Sequence, residues 1–450
     1  MLDINIIREN PAGVAKAIAK RGIEVDLTPA VRLDEQKRNA ITKMEALRAE
    51  KNKMSADIAK ANPADRPKLI AGSKVLGADI EKLEHSVETY EKKLFDILAA
   101  LPNTPLPDVV EGGKESNRVI KQVGKMPKFD FTPVDHYELC LKLGLIDYER
   151  AAKMSGAKTW VYTGLGARLE WALLNYMIDF HVKNGYTFIM PPHLLNYESG
   201  YSAGQFPKFQ DDVFCTDTED NRRIDPESPK FRFLLPTAET ALINMHRGEI
   251  IPAEQLPIKY AAYSPCYRRE AGGYRASERG MIRGHQFNKI EMFAFCKPED
   301  SQVIFYEFVN NAEKLVEGLG LHFQTVALAA GDVSASMQKT YDIEVYIPSM
   351  NEYKEVSSAS MAGDYQARRS QIRTKVEIEE KTPAPIGAPP LQKGVKTVNQ
   401  FVHTLNASGL ATSRLFPAII EQFQTKDGHV VIPHALRPYM GGVKEIKPIN

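Results

Sequence analysis

Thr237-Ala238-Glu239, Tyr267-Arg268-Arg269-Glu270 and Arg283-Gly284-His285-Gln286-Phe287-Asn288-Lys289-Ile290-Glu291 are the runs whose reading decides the fold. Ile, Phe and Tyr recur through Ile258–Tyr267 and residues 287–295, a composition that favours extended chain. The Gly-rich segment between the two runs suits a loop. Strand side chains alternate with period two, so a hairpin here points Arg268, Glu270, Phe287 and Glu291 to one face. A fixed guanidinium suits a phosphate, an aromatic plane suits a base, and a carboxylate suits an amine. The pattern suggests a site for a nucleotide together with an amino acid.

At 450 residues the chain has room for about three domains and a large core. Lys and Arg total 58 against 57 Asp and Glu, so any nucleic-acid contact must come from a local patch, not a global field. Cys140, Cys215, Cys266 and Cys296 are scattered, with no Cys-x-x-Cys pair and no His at zinc spacing. They read as reduced, mostly buried thiols of a cytoplasmic enzyme, and no structural zinc is expected. The opening Met1-Leu2-Asp3-Ile4-Asn5 has neither the basic region nor the apolar run of a signal peptide. No apolar stretch approaches a membrane span, so no membrane partner is expected. The chain also lacks the glycine motifs of the P-loop and dinucleotide folds.

Residues 34 to 100 are rich in Ala, Lys, Glu, Leu and Ile, interrupted at Asn62-Pro63-Ala64-Asp65-Arg66-Pro67. Leu76, Ile80, Leu83, Val87, Tyr90, Leu94 and Ile97 step by four and three after the break. Before it, Ala40, Met44, Leu47, Met54 and Ile58 keep the same stepping, with Lys51 the polar exception. Two heptad seams flanking a Pro-marked turn predict an antiparallel helical hairpin reaching about 45–50 Å. Such an arm serves as a dimerisation coil or spacer, or it grips a phosphate backbone through Arg48, Lys51, Lys53, Lys60, Arg66, Lys68 and Lys74. The Pro-rich Leu101-Pro102-Asn103-Thr104-Pro105-Leu106-Pro107 ends the arm and sets a domain boundary, dividing residues 1–103 from 104–450.

Beyond the linker, residues 136–143, 149–152 and 167–184 read as helices and 186–190 as a strand before Pro191-Pro192. Short strands and helices then alternate without βαβ regularity, predicting an α+β domain on a mainly antiparallel sheet. Pro383, Pro385, Pro389 and Pro390 mark residues 381–393 as an exposed loop. Two further clusters carry chemistry. Glu355 and Ser358, in Glu352-Tyr353-Lys354-Glu355-Val356-Ser357-Ser358, offer hard oxygen ligands for Mg²⁺. The run from His403 to Arg414 places small residues before an arginine that can reach a phosphate.

Taken in order, these residues resemble seryl-tRNA synthetase, a class II aminoacyl-tRNA synthetase, along the whole chain. The segment 164–192 is similar to class II motif 1, Tyr267-Arg268-Arg269-Glu270 through Phe287 to motif 2, and 409–414 to motif 3. Thr237-Ala238-Glu239, Glu355-Val356-Ser357-Ser358 with Ser360, the arm, and the closing Leu436-Arg437-Pro438-Tyr439-Met440 make the likeness specific for serine. Lys153-Met154-Ser155 matches part of the other synthetase class's signature, but its His-x-Gly-His partner is missing.

The resemblance implies a class II catalytic domain with an N-terminal coiled-coil arm, working as a cytoplasmic homodimer. It implies activation of L-serine with ATP to seryl-adenylate and transfer of the seryl group to the 3′ end of tRNA-Ser, with tRNA-Sec a possible second acceptor. ATP would meet Arg268, Arg269, Glu270, Phe287, Glu355, Val356, Ser357, Ser358 and Arg414, with Arg268, Glu270 and Arg414 the catalytic set. Thr237, Ala238, Glu239, Glu291 and Ser408 would surround serine; Glu355 and Ser358 would ligate Mg²⁺. The arm would hold the long variable arm of the tRNA. Ala359, Met361, Ala407 and Ser413 depart from the bacterial pattern and are expected beside the amino-acid pocket, where they bear on substrate choice. Two rival readings remain at this level. A specialised or self-resistance paralogue would keep every one of these residues; a non-enzymatic RNA-binding scaffold would have lost Arg268, Glu355 or Arg414, which are all present.

Overall fold

The structure, a computed structural model, describes residues 1–216, 231–270, 280–380 and 394–448. Residues 271–279 of the Gly-rich loop and the Pro-rich 381–393 lie outside the described residues. The chain forms two compact units, Met1–Thr104 and Pro105–Asn450.

In the first unit, helices α1 (Ile4–Glu9) and α2 (Pro11–Ala19) precede the long pair α3 (Thr28–Lys60) and α4 (Arg66–Ala100). Asp3 and Asn10 start the two short helices by accepting hydrogen bonds from the Asn5 and Gly13 amides. The long helices have 33 and 35 residues and pack side by side. Their expected seam residues are all buried or half-buried, including Lys51, whereas Arg48, Lys53, Lys60, Arg66, Lys68 and Lys74 are exposed. Ion pairs Arg48–Glu84 at 2.6 Å and Lys37–Glu91 at 3.5 Å cross between the helices. At the base, Ile7, Ile18 and Leu27 close a small core with Leu94 and Leu98.

The second unit is organised by an eight-stranded sheet. In chain order its strands are β1 (Arg118–Val123), β2 (Thr187–Ile189), β3 (Ile258–Tyr267), β4 (Gln286–Cys296), β5 (Phe323–Ala327), β6 (Lys339–Ile347), β7 (Glu352–Gly363) and β8 (His403–Ala411). Across the sheet the order is β1-β5-β6-β7-β8-β4-β3-β2, antiparallel except for β2 against β3. The fold is the expected α+β type, but the central strands run to nine to twelve residues instead of the short strands expected. Pairing on both edges lets each lengthen without leaving backbone groups unsatisfied.

Helices α5 (Gly164–Lys183), α6 (Ser301–Gly318), α7 (Tyr365–Ser370) and α8 (Thr412–Gln422) pack around this sheet. The larger apolar core joins Leu169, Phe308, Leu315 and Phe416 from the helices to Ile343, Leu405 and Met292 from the strands. A second core, around Phe206, Phe233 and Phe293, closes one end of the opposite face. All four cysteines are free, and Cys140, Cys266 and Cys296 are buried. Among the described residues no helix is long and apolar enough to cross a membrane.

The first turn of α5 lies so close to the chain at Leu145 that a Cβ on Gly166 would collide with the Leu145 carbonyl. Gly166→Ala is therefore expected to lower the melting temperature by at least ~2 °C; an unchanged melting curve would show that this approach is not tight.

Candidate active site

Alternation along the central strands sorts polar from apolar. Ala359, Met361 and Ala407 face the larger core, while their neighbours Ser358, Ser360, Asn406 and Ser408 turn the other way. Cross-strand partners share a face, so Thr340 lies opposite Ser360, Asp342 opposite Ser358, and Glu291 opposite Ser408. Three of the four positions expected to alter the pocket thus lie under the sheet. Ser413 is buried at the second residue of α8.

Two cavities on the polar face share Phe209, Arg283 and Ser334 and so form one trough. The first, about 560 Å³, is lined by Pro236, Thr237, Glu239, Arg268, Glu270 and Arg283. The second, about 890 Å³, includes Asp342, Glu344, Glu355, Ser358, Ser360 and Arg414. Arg268 follows β3 directly; its Nε donates to the Pro236 carbonyl at 3.3 Å, and its guanidinium lies 5.2 Å over the Phe287 ring. Glu270, at a left-handed φ of 49°, pairs with Arg283. Arg269 is exposed and donates to the Asp211 carbonyl at 3.1 Å. Arg414 rests on Glu355, donating to its carbonyl at 2.8 Å and lying 3.3 Å from its carboxylate.

Beside Arg268 lies a polar nest. Lys289 Nζ donates to Thr237 Oγ1 at 2.7 Å and pairs with Glu291, whose Oε2 also accepts from Thr237 at 3.2 Å. Asn406 Nδ2 reaches both Glu239, at 3.3 Å, and Glu291, at 3.1 Å. Gln366 Nε2 donates to the other Glu239 oxygen at 2.6 Å, and Gln366 Oε1 accepts from Thr404 Oγ1 at 2.7 Å. Burial, and then the neighbouring Glu291 charge, pushes the Glu239 carboxyl up to about 7, against the bond from Gln366.

The structure thus gathers Thr237, Glu239, Arg268, Glu270, Phe287, Glu291, Glu355, Ser358 and Arg414 on one face. It does not bring three other expected side chains there. Ala238 packs in the second core and Val356 in the first, and the buried Ser357 hydroxyl is spent on the Ser408 carbonyl at 2.5 Å. Lys289, Asn406, Gln366 and Asp342 were not singled out from sequence. Lys289 lies midway between Phe287 and Glu291 at strand spacing, a signal that could have found it. Gln366 reaches Glu239 only through the packing of α7, which no local pattern announces.

An antiparallel sheet carrying an arginine–aromatic pair on one hairpin and a second arginine on a following helix defines a class II aminoacyl-tRNA synthetase core. Residues 225–423 match the tRNA synthetase class II core domain (G, H, P, S and T), and residues 1–105 match the seryl-tRNA synthetase N-terminal domain. A serine--tRNA ligase 2 of Clostridium acetobutylicum is 52% identical over 98% of this chain and 99% of its own. The crystal structure of seryl-tRNA synthetase from Pyrococcus horikoshii complexed with ATP aligns over 100% of both chains with a TM-score of 0.87 at 32% identity. That of the cytoplasmic serine-tRNA ligase of Naegleria fowleri in complex with AMP aligns over 100% and 99%, with 0.84 at 29%. The chain belongs to the seryl-tRNA synthetase family.

The folded state keeps the Glu239 proton up to about pH 7, whereas an unperturbed glutamate loses it near 4.5. This group's stabilisation is therefore complete below pH 4.5 and is lost as pH rises towards 7. Glu239→Gln, which cannot ionise, is expected to lose less melting temperature between pH 5 and pH 7 than the unmodified protein in ligand-free buffer. Equal losses would count against the shift.

Proposed function

We propose that this chain activates L-serine with ATP and transfers the seryl group to the 3′ end of tRNA-Ser. The observation that carries this reading is the buried nest of Thr237, Glu239, Lys289, Glu291 and Asn406 beside the Arg268–Phe287 pair. The nest has carboxylates for an ammonium and polar groups for a hydroxyl, and the pair has a plane for adenine and a cation for a phosphate.

In this reading Glu239 and Glu291 hold the serine ammonium, which orients its carboxylate towards the α-phosphorus. The carboxylate oxygen forms a bond to that phosphorus, the bond to the β-phosphate bridging oxygen breaks, and pyrophosphate leaves. Arg268 lies where charge grows on the α-phosphate, with Phe287 under the adenine and Glu270 at its edge. Arg414 leaves Glu355 to take the far phosphate. Buried groups that need a hydroxyl reject alanine because they would be left unpaired, a discrimination of ~10⁴–10⁵ at best. Threonine is excluded by shape.

Glu355 and Ser358 fit Mg²⁺. They are hard oxygen donors, and beside them the buried Asp342 keeps one carboxylate oxygen with no hydrogen-bond partner among the described residues. The ion, once bound, would neutralise charge on the phosphates. The N-terminal domain, with its exposed basic residues, grips the long variable arm of the tRNA through backbone and shape. A second copy of the chain meets the outer side of α5, where Trp171 and Val182 are 55% and 50% exposed with Met190 nearby in sequence at 72%.

Purified protein is expected to exchange pyrophosphate into ATP with serine and not with alanine, threonine or cysteine. Arg268→Ala is expected to reduce that exchange by ~10²–10³. Exchange driven by another amino acid, or none with serine, would sink the proposal. Reversing charge at Lys53, Lys60 and Lys68 together is expected to leave exchange unchanged while raising the KM for tRNA at least ~10-fold and flattening its salt dependence. Unaltered charging kinetics would remove the arm from tRNA binding.

A further inference from the structure

Glu170, in the first half of α5, has no part in the chemistry above, yet it is 3% exposed and its hydrogen bonds come from neutral side chains. Its Oε1 alone accepts two side-chain hydrogen bonds, from Asn288 Nδ2 at 2.8 Å and from Thr412 Oγ1 at 2.6 Å. Both donors adjoin groups the proposed function needs. Asn288 follows Phe287 on β4, and Thr412 is the first residue of α8, two before Arg414.

The position matters because of the strand register. β4 and β8 pair with Lys289 opposite Ala411 and Glu291 opposite Ser408, so a bulge lies between them. A bulge interrupts the backbone ladder that would otherwise fix two strands against each other. It falls where β4 carries the adenine plane and where β8 gives way to the helix bearing the second arginine. The Thr412 hydroxyl also lies 3.0 Å from the Asn288 carbonyl. Asn288 Oδ1 in turn accepts from the Tyr263 hydroxyl of β3 at 3.2 Å. A buried carboxylate is costly when an apolar side chain of the same size could pack there. Burial pushes this one up to about 7, against its contacts with Thr412, Asn288 and the buried Tyr162 hydroxyl. Simple packing does not need such a group. A fixed acceptor shared by two elements does.

We propose that Glu170 is a positioning residue for ATP: through one oxygen it sets the distance between Phe287 on β4 and Arg414 on α8, which hold opposite ends of the nucleotide. The inference rests on the proposed function, since it assigns those two groups to ATP.

The test compares Glu170→Leu, Glu170→Gln and Thr412→Val. ATP affinity is read by calorimetry, and the KM values for ATP and serine by pyrophosphate exchange. Glu170→Leu removes the acceptor and keeps the bulk, so it is expected to weaken ATP binding ~10-fold or more while the serine KM stays within about two-fold. Glu170→Gln keeps the accepting oxygen and is expected to bind ATP within about three-fold of the unmodified protein. Thr412→Val loses one of the two bonds and is expected to move ATP affinity in the same direction by less. If Glu170→Leu does not fold, Thr412→Val against Glu170→Gln decides. A lowered melting temperature with ATP affinity unchanged in both Glu170→Leu and Thr412→Val would overturn the proposal. Equal losses for ATP and serine would do the same, since they indicate a structural role alone. An unmodified protein that binds ATP but fails to exchange pyrophosphate with serine would overturn the proposed function and leave the Glu170 comparison readable from ATP affinity. No ATP binding at all would overturn both.

Discussion

Antiparallel pairing of β7, β8 and β4 is the constraint on which the rest depends. Because the side-chain period of a strand is two, each pair of facing residues falls on one side of the sheet. One side holds Ala359, Met361, Leu405, Ala407 and Met292 in the core. The other holds Ser358, Ser360, Asn406, Ser408 and Glu291. A slip of one residue in any of the three strands would bury the polar set and expose the apolar one. The core thereby fixes the register of the site, and the site's geometry follows from hydrophobic burial on the far side.

On that polar face the structure keeps two buried glutamates close together. Glu239 and Glu291 share Asn406, and Lys289 and Gln366 each compensate one of them. The raised Glu239 proton affinity is the residual effect of burial and mutual repulsion that these partners do not cancel. An incoming ammonium would cancel it, which is the sense in which the nest fits an amino acid. At the other end of the trough, Arg414 rests on Glu355. Opposite charges here neutralise one another, and in the proposed function phosphates would compete for the arginine.

The arm works on a different principle. Its helices share a thin seam in which few residues are fully buried, and cross-helix ion pairs such as Arg48–Glu84 are exposed and individually weak. Length, not a thick core, is what this hairpin supplies, and its exposed lysines toward the turn remain available to a phosphate backbone.

Periodicity by itself determined the arm, the hairpin Ile258–Tyr267 to Gln286–Cys296, and the sharing of one face by Arg268, Phe287 and Glu291, because those depend on residues near in sequence. It also put glutamate, serine and arginine in three separate segments of site-like composition. Only the tertiary structure decided which neighbours turn inward. Val356, Ser357, Ala359 and Met361 stand in the same run as Glu355 and Ser358, and a bulge at Val356 changes the alternation there, which composition does not reveal. Gln366 beside Glu239 and Glu170 beneath Asn288 and Thr412 arise from helices docking on elements more than a hundred residues away. Local sequence sets the pitch and pleat of each element, but the contacts between elements are chosen by how their apolar faces close together.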